Sequence, residues 1–432
     1  MSALRRVVIV NGSRTPFLRS GTSYDNLMAY ELLRHSLLSL IRKCQIPKET
    51  VQYMVAGTVV QEIKTYNVAR EAVLASGFNP KATPCHTVTQ ACISANQAIS
   101  NACMLIAKGE HDCVVAGGVE LLSDLQIRYP KKMRKLMVKA NFSKSTKEKL
   151  FAFISMLRPS NFFPPDVAPT VEFTTGLNMG EHCEKLNSLF KVTREEQDQF
   201  ALRSHTLANK ALKDGLLTDI SPITVPKVGL ISSDNGIKVS TVEKVSQLSP
   251  VYAKPPQGTI TAANATFLTD GASCTLLMSE GKALAMGLKP KAVVKDFIFA
   301  SLDPKESGLL LGPAHAVAKI LKRNKLSLND FDVFEFHEAF AGQLLANIKA
   351  MDSEWYMKNE AKMDQKVGLL PIEKLNTWGG SLSLGHPFGA TGSRLVNMAS
   401  NRLEHCNQNL ALIAACAAGG LGHAMILERY RK

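Results

Sequence analysis

The 432-residue sequence lacks the cysteine spacing of a disulfide-rich or zinc-binding domain. Its nine cysteines are scattered, their number is odd, and no two of them form a CxxC pair. This distribution is typical of a protein from a reducing compartment, and it argues against a disulfide framework and a structural zinc site. We therefore expect no resident metal.

Features of a membrane-spanning or exported chain are also scarce. No signal peptide or long transit segment is visible near the start, so we expect any targeting sequence to be absent or removed. The most apolar stretch, 409–426, has nearly the length of a membrane span, but Gly419, Gly420 and Gly422 interrupt it. This pattern predicts strand, turn and strand within a buried sheet.

Acidic residues are too few to balance the basic ones. There are 37 Asp and Glu against 51 Lys and Arg, which gives a formal net charge of +14. This excess indicates a polyanionic partner: nucleic acid, an acidic membrane, or a ligand that carries several phosphates. With 45% hydrophobic residues and no low-complexity tract, the chain has the composition of a globular protein with two or three compact units.

The order of predicted elements occurs twice. A strand, an amphipathic helix and a second strand begin the chain, and the same order recurs from about residue 290. We interpret this as two copies of one α/β unit, the alternative being a chance similarity of two generic α/β halves. The predicted domains are 1–120 with 249–289, a lysine-rich cover over 121–248, and 290–432. Within the cover, helices are predicted at 175–190 and 193–213.

Two residues in matching places of the copies are candidates for chemistry. Cys92 precedes an alanine-rich helix, whose free NH groups and dipole would lower the pKa of a thiol there. His386 lies in the glycine-rich turn "SLGHPFGATG" of the second copy, from which it could take the thiol proton. A buried structural cysteine and a solvent-exposed turn histidine are the simpler alternatives.

Two more candidates follow apolar strands. Cys416 ends a very apolar strand in "AACAAGGLGHA", and His337 follows the large apolar residues of "FEFHEAF". Polar groups at strand ends beside glycine are where α/β folds place ligand chemistry, although either residue alone could be structural.

Together these stretches resemble the thiolase family over nearly the whole chain. The motifs occur in thiolase order with thiolase-like separations, namely "RTPF", "CISANQA", "GGVE", "QDQFALRSH", "TAANATFLTDGAS", "HEAFAG", "GGSLSLGHPFGATGSR" and "CAAGGLGHA". The resemblance implies an α/β fold in which duplicated units form a five-layered αβαβα core, with a helical, lysine-rich loop domain inserted.

The resemblance also implies roles for the candidates. Cys92 would attack the 3-keto carbonyl of a 3-oxoacyl-CoA, His386 would act as its base, and Cys416 would exchange protons with the acetyl-CoA enolate and with incoming CoA. Coenzyme A would be a cosubstrate, with no permanently bound cofactor. One oxyanion hole would consist of His386 and a water held by His337, and the other of the backbone NH groups of Cys92 and Ala418.

The chain departs from the common thiolase pattern at two of these positions. Many thiolases have asparagine where this chain has His337, so holding a water requires a neutral imidazole of the right tautomer. Many also have glycine at the position of Ala418, where a methyl group now needs room. The family pattern further implies that Thr266, Phe340 and Gly420 contact substrate.

The lysine-rich insert and the "HEAF" form resemble the thiolases of mitochondrial fatty acid β-oxidation. Residues 131–149 hold eight lysines and arginines against Glu148 alone, and bulky apolar residues follow them. Peripheral contact of about 131–165 with an anionic membrane is the favoured interpretation, and a solvated cover that attracts CoA phosphates is the alternative.

That likeness also implies partners and a location. We expect a homodimer within a hetero-oligomer that contains a hydratase/dehydrogenase α subunit, at the matrix side of the inner mitochondrial membrane. We expect no nucleic acid, because the phenylalanines of the basic insert are few and mixed with aliphatic residues. The alternative functions are a biosynthetic acetoacetyl-CoA thiolase, a decarboxylating ketoacyl synthase and, more remotely, an inactive scaffold that binds membrane or RNA.

Overall fold

The computed structural model describes residues 4–168, 171–255, 257–305 and 308–431. The strands are β1 (Val7–Arg14), β2 (Leu18–Arg19), β3 (Tyr53–Gly57), β4 (Cys85–Val88), β5 (Cys113–Glu120), β6 (Ile223–Val225), β7 (Gly229–Ile231), β8 (Thr269–Ser279), β9 (Ala292–Ser301), β10 (Val333–Phe336), β11 (Leu410–Ala417) and β12 (Leu421–Arg429).

Helices alternate with these strands and also fill the region between the two halves. They are α1 (Ala29–Cys44), α2 (Val68–Ala75), α3 (Ser94–Lys108), α4 (Lys131–Phe142), α5 (Thr146–Met156), α6 (Met179–Leu189), α7 (Arg194–Lys213), α8 (Val242–Ser246), α9 (Glu280–Ala285), α10 (Gly312–Asn324), α11 (Ala341–Met351), α12 (Glu354–Asn359), α13 (Ser381–Leu384) and α14 (Thr391–His405). Short 3-10 turns occupy Lys48–Thr50, Pro159–Asn161, Leu309–Leu311, Leu328–Asp330 and Ile372–Lys374.

The strand pairing repeats itself on the two sides of one central contact. The strand order is β4-β3-β5-β8-β1-β9-β12-β11-β10, and β1 meets β9 through only two residue pairs. Outward from that contact, each half runs through two antiparallel pairings and then a parallel one. The first half ends with the parallel pair β3–β4, where the second has a single parallel bridge, Phe334 to Leu375. This repeated topology agrees with the predicted duplication.

Apolar side chains hold the repeated halves together in five layers. One core lies between α1, α2 and the outer face of the first half's strands, and another between α10, α11 and the outer face of the second half's strands. A third core lies between the two halves, where α3 and α14 bury residues such as Ile99 and Leu395 against both sets of strands. The predicted αβαβα arrangement is therefore confirmed.

The apolar stretch 409–426 forms antiparallel strands β11 and β12 joined by a glycine turn, as predicted. Residues 411–417 of β11 are all buried, which explains their uniformly apolar composition. Within the described residues, no helix is both long and apolar enough to cross a membrane.

The region between the halves is largely helical, and it is anchored to the first strand by a buried ion pair. The guanidinium of Arg14 on β1 binds both carboxylate oxygens of Asp234 at 2.6 and 2.8 Å and the carboxylate of Asp219 at 3.1 Å. The predicted helices at 175–190 and 193–213 correspond to α6 and α7, and Thr193 with Glu196 forms the expected capping box. Strand β8, from 249–289, lies between β1 and β5.

Candidate active site

Cys92 lies in a tight turn between β4 and α3. The hydroxyl of Ser94 accepts a hydrogen bond from the Gln90 NH at 2.8 Å and donates one to the Ala91 carbonyl at 2.7 Å. Ala91 has a φ of +47°, a left-handed conformation that non-glycine residues seldom adopt. The turn therefore fixes the backbone of Cys92, whose side chain stays partly exposed at the inner end of the first half.

The thiol of Cys92 is not acidified, contrary to the sequence-based prediction. Burial of the sulfur raises the pKa of Cys92 to about 12, while hydrogen bonds from the backbone NH groups of Ala418 and of Cys92 itself lower it only partly. Negative charge on the buried Glu120 acts in the same direction as burial. The prediction considered only the start of α3, and desolvation outweighs that effect here. The resting sulfur is therefore a thiol, which needs a base.

His386 lies in the turn between α13 and α14, in the orientation that a base requires. Its backbone NH donates to the Thr269 hydroxyl at 3.0 Å, which ties the turn to β8. Ring atom Nδ1 lies 2.6 Å from the hydroxyl of Thr391, and that hydroxyl donates to the Pro387 carbonyl at 3.0 Å. Because the Thr391 proton is already used, its oxygen accepts from Nδ1–H. The lone pair of His386 is then on Nε2.

Glycines allow this turn to lie against the first half. Gly385 has a φ of +105°, and a Cβ atom at Gly389 would lie 2.5 Å from the carbonyl oxygen of Val119. The NH of Gly389 donates to the buried carboxylate of Glu120 at 2.9 Å. A side chain at Gly389 would move the turn, and with it His386, away from Cys92.

His337 follows β10 and has the opposite tautomer. Its Nδ1 lies 2.8 Å from the hydroxyl of Ser381, which accepts a hydrogen bond from the buried guanidinium of Arg394 at 2.6 Å. Among the described residues Nδ1 of His337 is the only acceptor found for the Ser381 proton, so the hydroxyl donates to Nδ1 and the ring proton is on Nε2. His337 can therefore donate a hydrogen bond where His386 can accept one.

The three side chains meet at one point between the two halves. The sulfur of Cys92 and one ring nitrogen from each of His337 and His386 all lie within 4.8 Å of one another. The two imidazoles are 4.1 Å apart between ring centroids, and Nε2 of each has no hydrogen-bond partner among the described residues. Burial, aided by the charge of Arg394, lowers the pKa of His386 to about 3. Burial, followed by the proximity of His386 and of Arg394, lowers the pKa of His337 well below its ordinary value.

Cys416, the penultimate residue of β11, lies close enough to interact electrostatically with Cys92, although its sulfur is not among the three atoms that lie within 4.8 Å of one another. Burial raises the pKa of its thiol, and so does its proximity to the sulfur of Cys92. In the turn that follows, the NH of Gly419 donates to the carboxylate of Glu172 at 2.8 Å. The turn that positions the Ala418 NH is thus tied to the segment that follows the lysine-rich helices.

The predicted substrate contacts lie in segments next to this cluster. Thr266 binds the carbonyl oxygen of Ala339 through both its NH and its hydroxyl, each at 3.1 Å. Phe340 is the N-cap of α11 and packs edge-on against Tyr252, with ring centroids 6.0 Å apart. The carbonyl of Gly420 accepts from the Leu302 NH at 2.7 Å. Their contact with substrate stays a prediction.

Sequence reasoning missed the residues that set the tautomers. Thr391 and Ser381 lie inside the motif "GGSLSLGHPFGATGSR", yet nothing in their spacing reveals that each faces an imidazole. Glu120 ends the motif "GGVE", and its carboxylate accepts from the NH groups of Val59 and Val60 as well as Gly389. A buried carboxylate with three backbone donors organises loops, and burial raises its pKa to about 7.

A thiol, a neutral imidazole with a free lone pair and NH donors at the sulfur are typical of enzymes that transfer acyl groups through a cysteine thioester. Residues 7–281 match the model of the thiolase N-terminal domain, and residues 288–429 match that of the thiolase C-terminal domain. The chain belongs to the thiolase family.

Named relatives agree with this assignment. The chain is 55% identical to the mitochondrial trifunctional enzyme subunit beta of Homo sapiens, over 99% of this chain and 90% of that one. It is 48% identical to a probable 3-ketoacyl-CoA thiolase of Caenorhabditis elegans, over 99% and 94%. The chain also matches the solved structure of human mitochondrial 3-ketoacyl-CoA thiolase in complex with CoA. The match covers 100% of each chain, with a TM-score of 0.81 and 27% sequence identity. The predicted family and acyltransferase class are confirmed.

Proposed function

We propose that the chain is a 3-ketoacyl-CoA thiolase of fatty acid β-oxidation, which cleaves 3-oxoacyl-CoA with CoA to give acetyl-CoA and a shortened acyl-CoA. The observation that carries this proposal is the convergence of Cys92, His337 and His386 within 4.8 Å. The similarity to a probable 3-ketoacyl-CoA thiolase supports the substrate class.

In the first half-reaction, Cys92 attacks the 3-keto carbonyl while Nε2 of His386 takes the thiol proton. A thiol with a pKa near 12 and an imidazole with a pKa near 3 stay neutral in the free enzyme, so proton transfer accompanies the attack. The bond between C2 and C3 then breaks, and its electrons form the enolate of acetyl-CoA. Cys416 protonates that enolate.

In the second half-reaction, the Cys416 thiolate takes the proton of incoming CoA, whose sulfur attacks the acyl thioester on Cys92. The thiolate of Cys92 leaves and recovers its proton from His386, so both residues return to their starting states. The raised pKa of Cys416 fits this role, because a buried thiolate is a strong base that takes up the proton of CoA readily.

Two sets of NH donors would stabilise the oxyanions of these steps. The amides of Cys92 and Ala418 already donate toward the Cys92 sulfur, where a tetrahedral oxyanion would form. His337, with its proton on Nε2, would hold a water beside His386 at the enolate oxygen. One such donor is typically worth about 3 to 4 kcal/mol of transition-state stabilisation.

The direct test is mass spectrometry after incubation with a 3-oxoacyl-CoA and an acid quench. We expect an acyl adduct on the peptide that contains Cys92, with a larger yield in Cys416→Ala, because acylation continues while proton transfer to the enolate and from CoA is impaired. Cys92→Ser should fold normally, carry no adduct and lose thiolysis by at least about 10³-fold. An adduct on another peptide, or a Cys92→Ser enzyme that keeps most of its turnover, would refute the proposal.

Chain length separates this function from a biosynthetic acetoacetyl-CoA thiolase. We expect a larger kcat/KM with a 3-oxo-C16 CoA than with acetoacetyl-CoA, because an enzyme of fatty acid β-oxidation must accept long 3-oxoacyl chains. The opposite ranking of the two substrates would favour the biosynthetic alternative.

We also propose that α4 and α5 rest on an anionic membrane. The two helices pack on each other but bury only Met133 and Ala152, and they leave large apolar side chains in solvent. The exposed fraction is 78% for Phe142 and 67% for Phe151. Lysines and arginines surround these apolar groups, the combination that binds a head-group region.

The proposed assembly is a homodimer joined to a hydratase/dehydrogenase α subunit at the matrix side of the inner mitochondrial membrane. The names of the mitochondrial relatives support the location and the hetero-oligomer. The outer edge of β4 has no partner strand within the described residues, which supports a second copy there. Light scattering of the purified chain, alone and with an α subunit, tests both contacts.

A further inference from the structure

The candidate site also has the composition of a metal-binding site. A cysteine sulfur and two imidazole nitrogens are common ligands of zinc, and here they lie within 4.8 Å of one another. Both Nδ1 atoms are occupied by the hydroxyls of Ser381 and Thr391, so the unpartnered Nε2 atoms are the ones available to an ion.

The spacing requires only a small adjustment to hold an ion. In a tetrahedral zinc site, bonds of about 2.0 to 2.3 Å place neighbouring ligand atoms about 3.3 to 3.6 Å apart. The sulfur and the two nitrogens would need to approach by at most about 1.5 Å, which rotation of the Cys92 side chain can largely provide. The sulfur itself is desolvated, but Cys92 as a residue keeps part of its surface exposed, which gives an ion a route toward the sulfur.

The surroundings hold both imidazoles in place, and His386 already has the tautomer that coordination requires. Thr391 holds the His386 ring with its lone pair on Nε2, as coordination requires. His337 must change tautomer so that Nδ1 carries the ring proton, and the Ser381 hydroxyl must rotate so that its oxygen accepts a hydrogen bond from Nδ1–H. A metal-bound histidine typically donates its other ring NH to an acceptor, and here hydroxyl oxygens are the available acceptors.

We propose that Cys92, His337 and His386 form an inhibitory site for one thiophilic divalent cation, with Zn²⁺ as the natural candidate. The Cys92 S–H bond breaks, the sulfur binds the ion and the proton goes to solvent, without any change of oxidation state. Three protein ligands leave a fourth position for water. The bound ion occupies the sulfur and the base together, so it blocks acyl transfer reversibly.

Direct binding tests this site without relying on turnover. The purified full chain is titrated with Co²⁺, in the absence of CoA because the CoA thiol itself binds metals. We expect one ion per chain and a thiolate-to-cobalt charge-transfer band, which Zn²⁺ displaces. Zn²⁺ in molar excess over CoA should also abolish thiolysis, and EDTA should restore it, whereas Mg²⁺, which prefers oxygen ligands, should have no effect.

Variants identify the ligands. Cys92→Ser should lose the charge-transfer band, and His337→Asn should weaken Zn²⁺ binding at least about tenfold while the thiol remains. Cys406→Ser is the matched control, since Cys406 is an exposed thiol outside the site, and it should bind the ion like the parent chain. Unchanged affinity in His337→Asn, a band that depends on Cys406, or inhibition that EDTA does not reverse would overturn the proposal.

Discussion

Two histidines side by side carry opposite tautomers, and their neighbours impose this difference. Thr391 places the proton of His386 on Nδ1, whereas Ser381, itself bound by Arg394, places the proton of His337 on Nε2. The site consequently offers one acceptor and one donor at the Cys92 sulfur, and deprotonation of the thiol and stabilisation of an oxyanion are assigned to different rings.

Removing the partner of His386 should therefore slow the chemistry. In Thr391→Val the side chain keeps its shape but cannot accept from Nδ1, so the His386 proton can move to Nε2 and the base is lost in part of the molecules. We expect kcat to fall about 10- to 100-fold with KM nearly unchanged. Thr391→Ser restores the hydroxyl and should recover most of kcat, as steady-state kinetics can establish. A change in KM with kcat unchanged would contradict this role.

The raised pKa of Cys92 leads to a pH-dependent prediction. A thiol with a pKa of about 12 holds little thiolate at neutral pH, so the alkylation rate with iodoacetamide should rise about tenfold per pH unit from 7 to 9.5. A small thiol in solution, with an ordinary pKa of about 8.5, is the reference and should level off in that range. Mass spectrometry of the Cys92 peptide gives the rate, and a plateau below about pH 8 would mean that the thiol is acidified.

At this scale the sequence showed the residue types but not their electrostatics. The positions of Cys92, His337, His386 and Cys416 followed from ordered motifs, and the structure brings the first three together. The prediction of a lowered pKa for Cys92 was wrong. The effect of a helix start is visible in the sequence, whereas the desolvation of one sulfur depends on both halves at once.

Among the secondary-structure elements, the link between the insert and the β11–β12 turn was not predictable. Glu172 comes from the segment between α5 and α6, and it binds the NH of Gly419, 247 residues away in sequence. The second half also replaces an edge strand by the single bridge at Leu375, in a stretch that lacks an alternating apolar pattern. Long-range contacts and shortened edges of this kind leave no periodic signal.

The Glu172 contact predicts a positioning role. Glu172→Ala should free the turn that carries the Ala418 NH and lower kcat about tenfold, since a hydrogen bond to a charged group is worth roughly 1.5 to 3 kcal/mol and this one is only partly buried. Glu172→Gln keeps an acceptor oxygen and should recover most of the activity. Glu195→Ala, an exposed acidic residue on α7, is the control and should leave kcat unchanged. Equal kcat in the Ala and parent chains would exclude the role.

At the scale of the whole molecule, the duplication explains where the site lies. Each half contributes one set of groups to the interface between the sheets: Cys92 comes from the first, and His337, His386 and Cys416 from the second. The sequence predicted this architecture well because the repeat order of strands and helices is a local pattern. The basic residues behind the net charge of +14 do not follow the duplication, because many of them are concentrated on α4 and α5 in the region between the two halves.

The exposed surface of α4 and α5 predicts binding to anionic vesicles. The parent chain should sediment with cardiolipin-containing vesicles and less with neutral ones, and raising the ionic strength from roughly 0.05 to 0.5 M should weaken binding by screening the lysines. Phe142→Ser with Phe151→Ser should lower vesicle affinity about tenfold or more while thiolysis of a soluble substrate is unchanged, because both side chains are exposed and lie on α4 and α5, outside the segments that carry the site residues. Trp355→Ser is the matched control, since Trp355 is 64% exposed on α12 and should bind vesicles like the parent chain. If the double variant binds as tightly as the parent, or if binding is equal on neutral vesicles, the two helices serve as a cover over the site or as a protein contact rather than a membrane surface.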